Sequence, residues 1–230
     1  FEIPVPSLDI QKKIAEECMK VDEKCKYAKK SIARKESEIK ELARSMQGST
    51  KPISSILKLS SGNYLPANKM KKGNIPVYGG NGITGYHDTG FIFEQTIVIG
   101  RVGEYCGSVY LTKTNCWITD NALYCKEFLE DVNKVYLMYA LRNANLNQYA
   151  NRTGQPNISQ NAIANVRIVV PSKIDQDECA KQLLEIQNEI NNFESMNRPS
   201  ISAVKKLDRK YIQDICEFNI KYGKKDYKFN

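Results

Sequence analysis

The chain has 230 residues, 41% hydrophobic and 26% charged, which is ordinary globular composition and long enough for one domain of ~100–150 residues plus an extended element. No apolar run approaches the ~18–20 residues needed for a membrane helix, so no membrane partner is expected. A net charge of +8 and a pI near 9.0 favour polyanionic partners: nucleic acid, an anionic surface or an acidic protein.

The first predicted element covers residues 7–46. Ile14, Cys18, Val21, Cys25, Ala28, Ile32, Lys35, Ile39, Leu42 and Met46 recur in alternating steps of four and three, and only Lys35 is not apolar. This spacing predicts a coiled-coil helix ~60 Å long, with Ser7 as its N-cap and Gly48 as its stop. Cys179, Leu183, Ile186, Ile190 and Phe193 form a second, shorter stripe. The two stripes are entered alike. Ile3-Pro4-Val5-Pro6-Ser7, continuing to Gln11, matches Ile168-Val169-Val170-Pro171-Ser172, continuing to Gln176. Such a repeated strand, Pro-Ser joint and heptad helix implies two packed helices with a globular domain inserted between them.

Between the stripes the composition changes. Residues 75–78, 96–99, 108–111, 122–125 and 166–170 read as strands, Gly79–Gly82 and Gly85 as turns, and 132–145 as a helix. The expected class is α+β, divided into 1–47 (strand end and long helix), 48–170 (globular domain) and 171–230 (second helix and helical tail). Pro199 could open that tail helix, with Val204, Leu207, Tyr211, Ile215 and Phe218 on one face.

Catalytic chemistry finds little support. Seven cysteines without CxxC spacing and a single histidine, His87, do not make a zinc site, and they fit reduced thiols in the cytoplasm. Gly80-Asn81-Gly82-Ile83-Thr84-Gly85 fits GxGxxG, but turn-like residues follow it, where a dinucleotide fold needs a helix. His87 beside Asp88 lacks a nucleophile partner. Glu104, Asp120 and Glu127 are too scattered for a metal nuclease, and no Pro-Pro exists for a methyltransferase motif. No cofactor is expected on this chain.

Three polar and basic sets occur in the glycine-rich and loop segments: Lys69, Lys71 and Lys72 just before Tyr78-Gly79-Gly80-Asn81; Arg101 within Ile99–Gly103; and Asn151–Asn157 with Arg152, Gln155 and Asn157. Lysine and arginine neutralise phosphates, while arginine, asparagine and glutamine can also read base edges. Any one set alone reads as solvated loop. Three in one small domain point to DNA.

The runs Ile75–Gly82, Gly85-Tyr86, Thr96–Gly103, Cys106–Val109 and Trp117–Ala122, with the repeated joints, resemble the target-recognition domains of type I restriction–modification specificity subunits, over about residues 1–196. The resemblance implies a non-catalytic module on spacer helices that reads half of a split double-stranded DNA target. It further implies methyltransferase subunits carrying S-adenosylmethionine, a restriction motor subunit, and either the C-terminal half of a specificity subunit or a half-subunit that forms a homodimer through its helices. Two other readings stay open: the specificity portion of a fused single-chain enzyme, and a coiled-coil adaptor that binds only protein. A hydrolase is the remote alternative.

Overall fold

The computed structural model describes residues 7–195. The first joint's residues 3–6, the tail helix expected from Pro199, and Cys216 lie outside the described residues. The first helix, α1 (Leu8–Ser45), matches the predicted element 7–46 to within one residue at each end. It stops before Gly48. That residue serves a different purpose, because a Cβ there would lie 2.6 Å from the Val170 carbonyl oxygen and the Pro171 Cα. Only glycine lets the two backbones meet.

The elements that follow are β1 (Ser49–Pro52), a one-turn α2 (Ile53–Ile56), β2 (Leu57–Ser61), β3 (Ile75–Gly79), β4 (Gly82–His87), β5 (Ile97–Gly100), β6 (Val109–Leu111), β7 (Trp117–Ile118) and β8 (Ala122–Phe128). Then come α3 (Lys134–Asn143), a short α4 (Gln160–Ala164), β9 (Arg167–Val170) and a helix, α5, over 173–195. The chain is thus a mixture of helices and small sheets, the α+β class expected. Among the described residues it forms two compact units, one of 39–184 and one that combines 7–38 with 185–195.

In the larger unit the antiparallel sheet β2-β8-β5-β6 carries the core. Every residue of β5 is buried. That explains its unbroken apolar run: a strand covered on both faces has no reason to alternate. A second sheet, β4-β3-β7, pairs β3 with β7 in parallel, and β1 pairs with β9 from Ser49↔Val170 to Pro52↔Arg167. Tyr78, Val98, Cys116, Ile118 and Ala122 form one buried cluster drawn from β3, β5, β7, β8 and the loop before β7. Asn133 caps α3 by accepting the Val135 and Tyr136 amides at 2.9 and 3.1 Å.

Two expectations change. The GxGxxG segment and the residues after it are not a series of turns. Gly82–His87 is the return strand of a hairpin, pairing Ile75↔His87 through Gly79↔Gly82. β1, β2, β7 and α4 were also absent from the sequence reading, being short and largely polar or β-bridged only at long range.

The joint into α5 is well defined. Ser172 Oγ accepts the Asp175 amide at 3.2 Å and donates to the Asp175 carboxylate at 2.6 Å. Gln11 N donates to Ser7 O, and Gln176 N to Ser172 O, both at 3.0 Å, so the described parts of both joints open their helices identically. Gln176 is 2% exposed. Its amide donates to Pro171 O at 3.0 Å and accepts from Asn133 N at 2.9 Å, tying α5 to the start of α3.

In the smaller unit α1 and α5 run antiparallel. Lys35 pairs with Glu189 at 2.8 Å, and Tyr27 meets Phe193 edge-on at 6.1 Å. The one polar seam position, Lys35, is therefore satisfied: its side chain is 13% exposed, and it also reaches Glu38 at 3.0 Å. Hydrogen bonds that the ammonium donates to these carboxylates, Glu189 first, raise its pKa.

Gln176→Ala should cost about 2–4 kcal/mol of stability in urea denaturation, because it strands two buried backbone groups. Alkaline stability gives a second check. Burial pushes the Cys125 thiol from 9.0 to about 11 and the Tyr136 phenol from 10.0 to about 12. The unfolded chain then ionises first, so stability is complete below pH 9 and falls as pH rises toward 11–12. Cys125→Ala should flatten the lower part of that decline in a melting series.

Candidate nucleic-acid interface

The ends of β2, β3, β5 and β7 and the starts of β4, β6 and β8 fall on one rim of the larger unit. Three backbone bonds align them: Thr119 N to Tyr78 O at 2.8 Å, Asn63 N to Ile118 O at 2.8 Å, and Gly62 N to Ala122 O at 3.1 Å. At this rim the hairpin tip Gly80-Asn81 sits against the strand end at Gly100. A Cβ at residue 100 would fall 2.2 Å from the Gly80 carbonyl oxygen, so glycine there permits the contact. The loop after β5 is then stitched to the 151–158 loop, by Gly103 N to Pro156 O at 2.9 Å and Ile158 N to Arg101 O at 2.8 Å.

Asn81, Arg101, Arg152, Gln155 and Asn157, far apart in sequence, therefore share one rim. Asn81 is exposed and its Oδ1 accepts the Tyr110 hydroxyl at 2.9 Å. Arg152 is exposed and bonds Asn147. The Asn157 side chain donates to Gln155 O at 3.2 Å, and the Gln155 side chain is exposed. Arg101 is half-buried, its Nη1 donating to Ser61 Oγ at 2.9 Å and to Asp120 O at 3.4 Å.

The lysines are elsewhere. Lys71 N donates to His87 Nδ1 at 3.0 Å, at the far end of β4 from the hairpin tip. Five residues of strand put them ~17 Å from Asn81. Lys69, Lys71 and Lys72 are all exposed, and Lys71 Nζ lies 3.8 Å from Asp88. His87 itself is 6% exposed and meets Trp117 edge-on at 5.6 Å. It braces the hairpin.

Tyr78 is a core residue, not an exposed one. It is 4% exposed within the core cluster, its hydroxyl accepts the Lys113 amide at 3.0 Å, and burial pushes its pKa up. An aromatic residue before a glycine turn looks like a contact residue in sequence. Here it belongs to a strand hydrogen-bonded on both edges. Conversely, sequence reasoning passed over Ser61, Gln160 and Asn161. They line a recess of about 300 Å³ with Arg101, Leu123 and Ser159. The signal was present: Gln160 and Asn161 extend the polar run that begins at Asn151, and Ser159 caps α4 through the Ala162 amide at 3.2 Å.

Among the described residues no three His, Cys, Asp or Glu side chains gather as a metal site, and no helix is long and apolar enough to cross a membrane. The larger unit is thus a mixed domain of helices and small sheets with an amide-rich, glycine-lined rim. The family model for the type I restriction modification DNA specificity domain matches residues 47–198, and the chain belongs to that family. It is 27% identical over 176 residues to the type I restriction enzyme EcoprrI specificity subunit of Escherichia coli, covering 74% of this chain and 43% of that protein. Among solved structures, the type I restriction-modification S subunit of M. genitalium matches with a TM-score of 0.68 at 16% identity, over 87% of this chain and 60% of that one. The HsdS subunit of Thermoanaerobacter tengcongensis matches at 0.55 and 14% identity, over 96% and 61%. The chain thus spans less than two thirds of each relative, and the solved structures share the fold.

Tyr78→Phe orphans the Lys113 amide and should cost about 1–2 kcal/mol in denaturant titration. The same variant should keep wild-type base preference in a DNA-binding assay; an altered preference would return Tyr78 to the interface.

Proposed function

We propose that this chain reads one short half-site of a split double-stranded DNA target, as specificity subunit or part of one in a type I restriction–modification complex. The observation that carries this reading is the convergence of Asn81, Arg101, Arg152, Gln155 and Asn157 on one rim of a domain belonging to a DNA specificity family. Arginine and amide side chains can bond base edges in pairs, and these bonds carry sequence information. The exposed lysines Lys69, Lys71 and Lys72, ~17 Å along the hairpin, suit phosphates further along the duplex, where charge fixes register without reading sequence.

In this reading the chain performs no covalent chemistry and holds no cofactor. Methyltransferase subunits carry S-adenosylmethionine and dock alongside, a restriction motor subunit completes the complex, and all work in the cytoplasm. A second copy, or the rest of a longer chain, supplies the other half-site. The antiparallel helices set the distance between the two.

Selection from a random duplex library with the full chain, its methyltransferase subunit supplied, should enrich a short motif or two copies at fixed spacing. No enrichment would sink the DNA-reading assignment in favour of a protein-binding adaptor. Lys71→Ala with Lys72→Ala should weaken cognate and random duplexes alike and reduce the salt slope by roughly 0.9 for each phosphate left unneutralised. A base-specific effect from these variants would reverse the division of roles.

A further inference from the structure

Most polar side chains on the rim are already committed within the protein. Asn147 donates to Cys106 O and accepts from Arg152; Asn151 accepts from Thr153; Asn157 donates to Gln155 O. The recess lined by Ser61, Arg101, Leu123, Ser159, Gln160 and Asn161 is different. Gln160 and Asn161 are exposed, and their amides make no hydrogen bond among the described residues. Arg101 is held from one side only. Nη1 is fixed by Ser61 Oγ and Asp120 O, while Nε and Nη2 have no partner among the described residues.

This is a pre-oriented guanidinium beside two free amides. Leu123, 1% exposed, lies beneath, and none of the six lining residues is acidic. The recess is rigidly placed, since the Ile158 amide bonds the Arg101 carbonyl at 2.8 Å just before Ser159 begins the cap of α4. A ligand edge entering here can take up these groups without breaking an internal bond, so little ordering opposes it.

The partners that match are base edges. Guanine presents two acceptors, O6 and N7, to an arginine fork; adenine presents an acceptor and a donor, N7 and N6, to an amide. A phosphate would use the guanidinium but has no donor for an amide oxygen. The geometry points to this recess as the chain's specificity pocket, in which Arg101, Gln160 and Asn161 read the major-groove edges of purines. The assignment rests on the DNA-reading function above, and it moves the centre of recognition from the 151–157 loop to the segment after it.

The test compares the full wild-type chain with a Gln160→Ala/Asn161→Ala variant in the same duplex selection, methyltransferase subunit supplied. Both positions are exposed, and matched thermal melting establishes that the variant is folded. Preference at one or two base-pair positions should fall by about tenfold to a hundredfold each, with affinity for random duplex and its salt dependence unchanged. An identical motif would overturn the pocket while leaving DNA reading intact. Uniform weakening with a shallower salt slope would make the recess a phosphate contact and overturn it as well. If the wild type itself enriches nothing, the failure lies in the functional reading beneath.

Discussion

At residue 100 a side chain would have no room: its first carbon would fall 2.2 Å from the Gly80 carbonyl oxygen. This contact presses the tip of the β3–β4 hairpin onto the end of β5, and the rim follows from it. Because β5 ends there, Arg101 emerges beside Ser61. Because the loop after β5 turns back, its backbone can hold the 151–158 loop through Gly103 and Arg101. Residues far apart in sequence reach one edge through backbone hydrogen bonds and one glycine contact. The rim is therefore built before any side chain on it chooses a partner.

That construction explains what could be read from the sequence. The heptad stripe of α1 is local, so it was legible, as were the runs of β5, β8 and β9. The Pro-Ser joint was legible because it occurs twice. The hairpin was misread: Gly82, Gly85 and Gly90 suggest turns, and only the pairing with β3 makes Gly82–His87 a strand. The burial of Tyr78 was illegible for a related reason. Its burial comes from β7 and from the Lys113 amide, both distant in sequence, which no local pattern encodes. Lys69, Lys71 and Lys72 are exposed, and the pairing of β3 with β4 puts Lys71 beside His87, away from the glycine turn that it precedes in sequence.

The rim also shows why composition is a poor guide to individual contact residues. The segment from Asn143 to Asn161 is crowded with amides, yet several serve the protein itself. Asn147 holds the 106 loop and Arg152, and Asn151 orders the turn at Thr153. Such internal bonds make a loop stiff, which benefits recognition as much as a direct contact does. Solved relatives of 14–16% identity keep the same fold, so the framework tolerates wide change in sequence.

Lys35 has a consequence for how the helix pair behaves under load. An all-apolar seam can slide by one heptad, ~10.5 Å, and regain equivalent packing. Here such a slip toward the start of α5 would carry the ammonium from Glu189 to Gln182, which offers no carboxylate. The ion pair acts as a detent: the helices settle at one notch, and a strut made from them keeps its length by chemistry as well as by covalent connection.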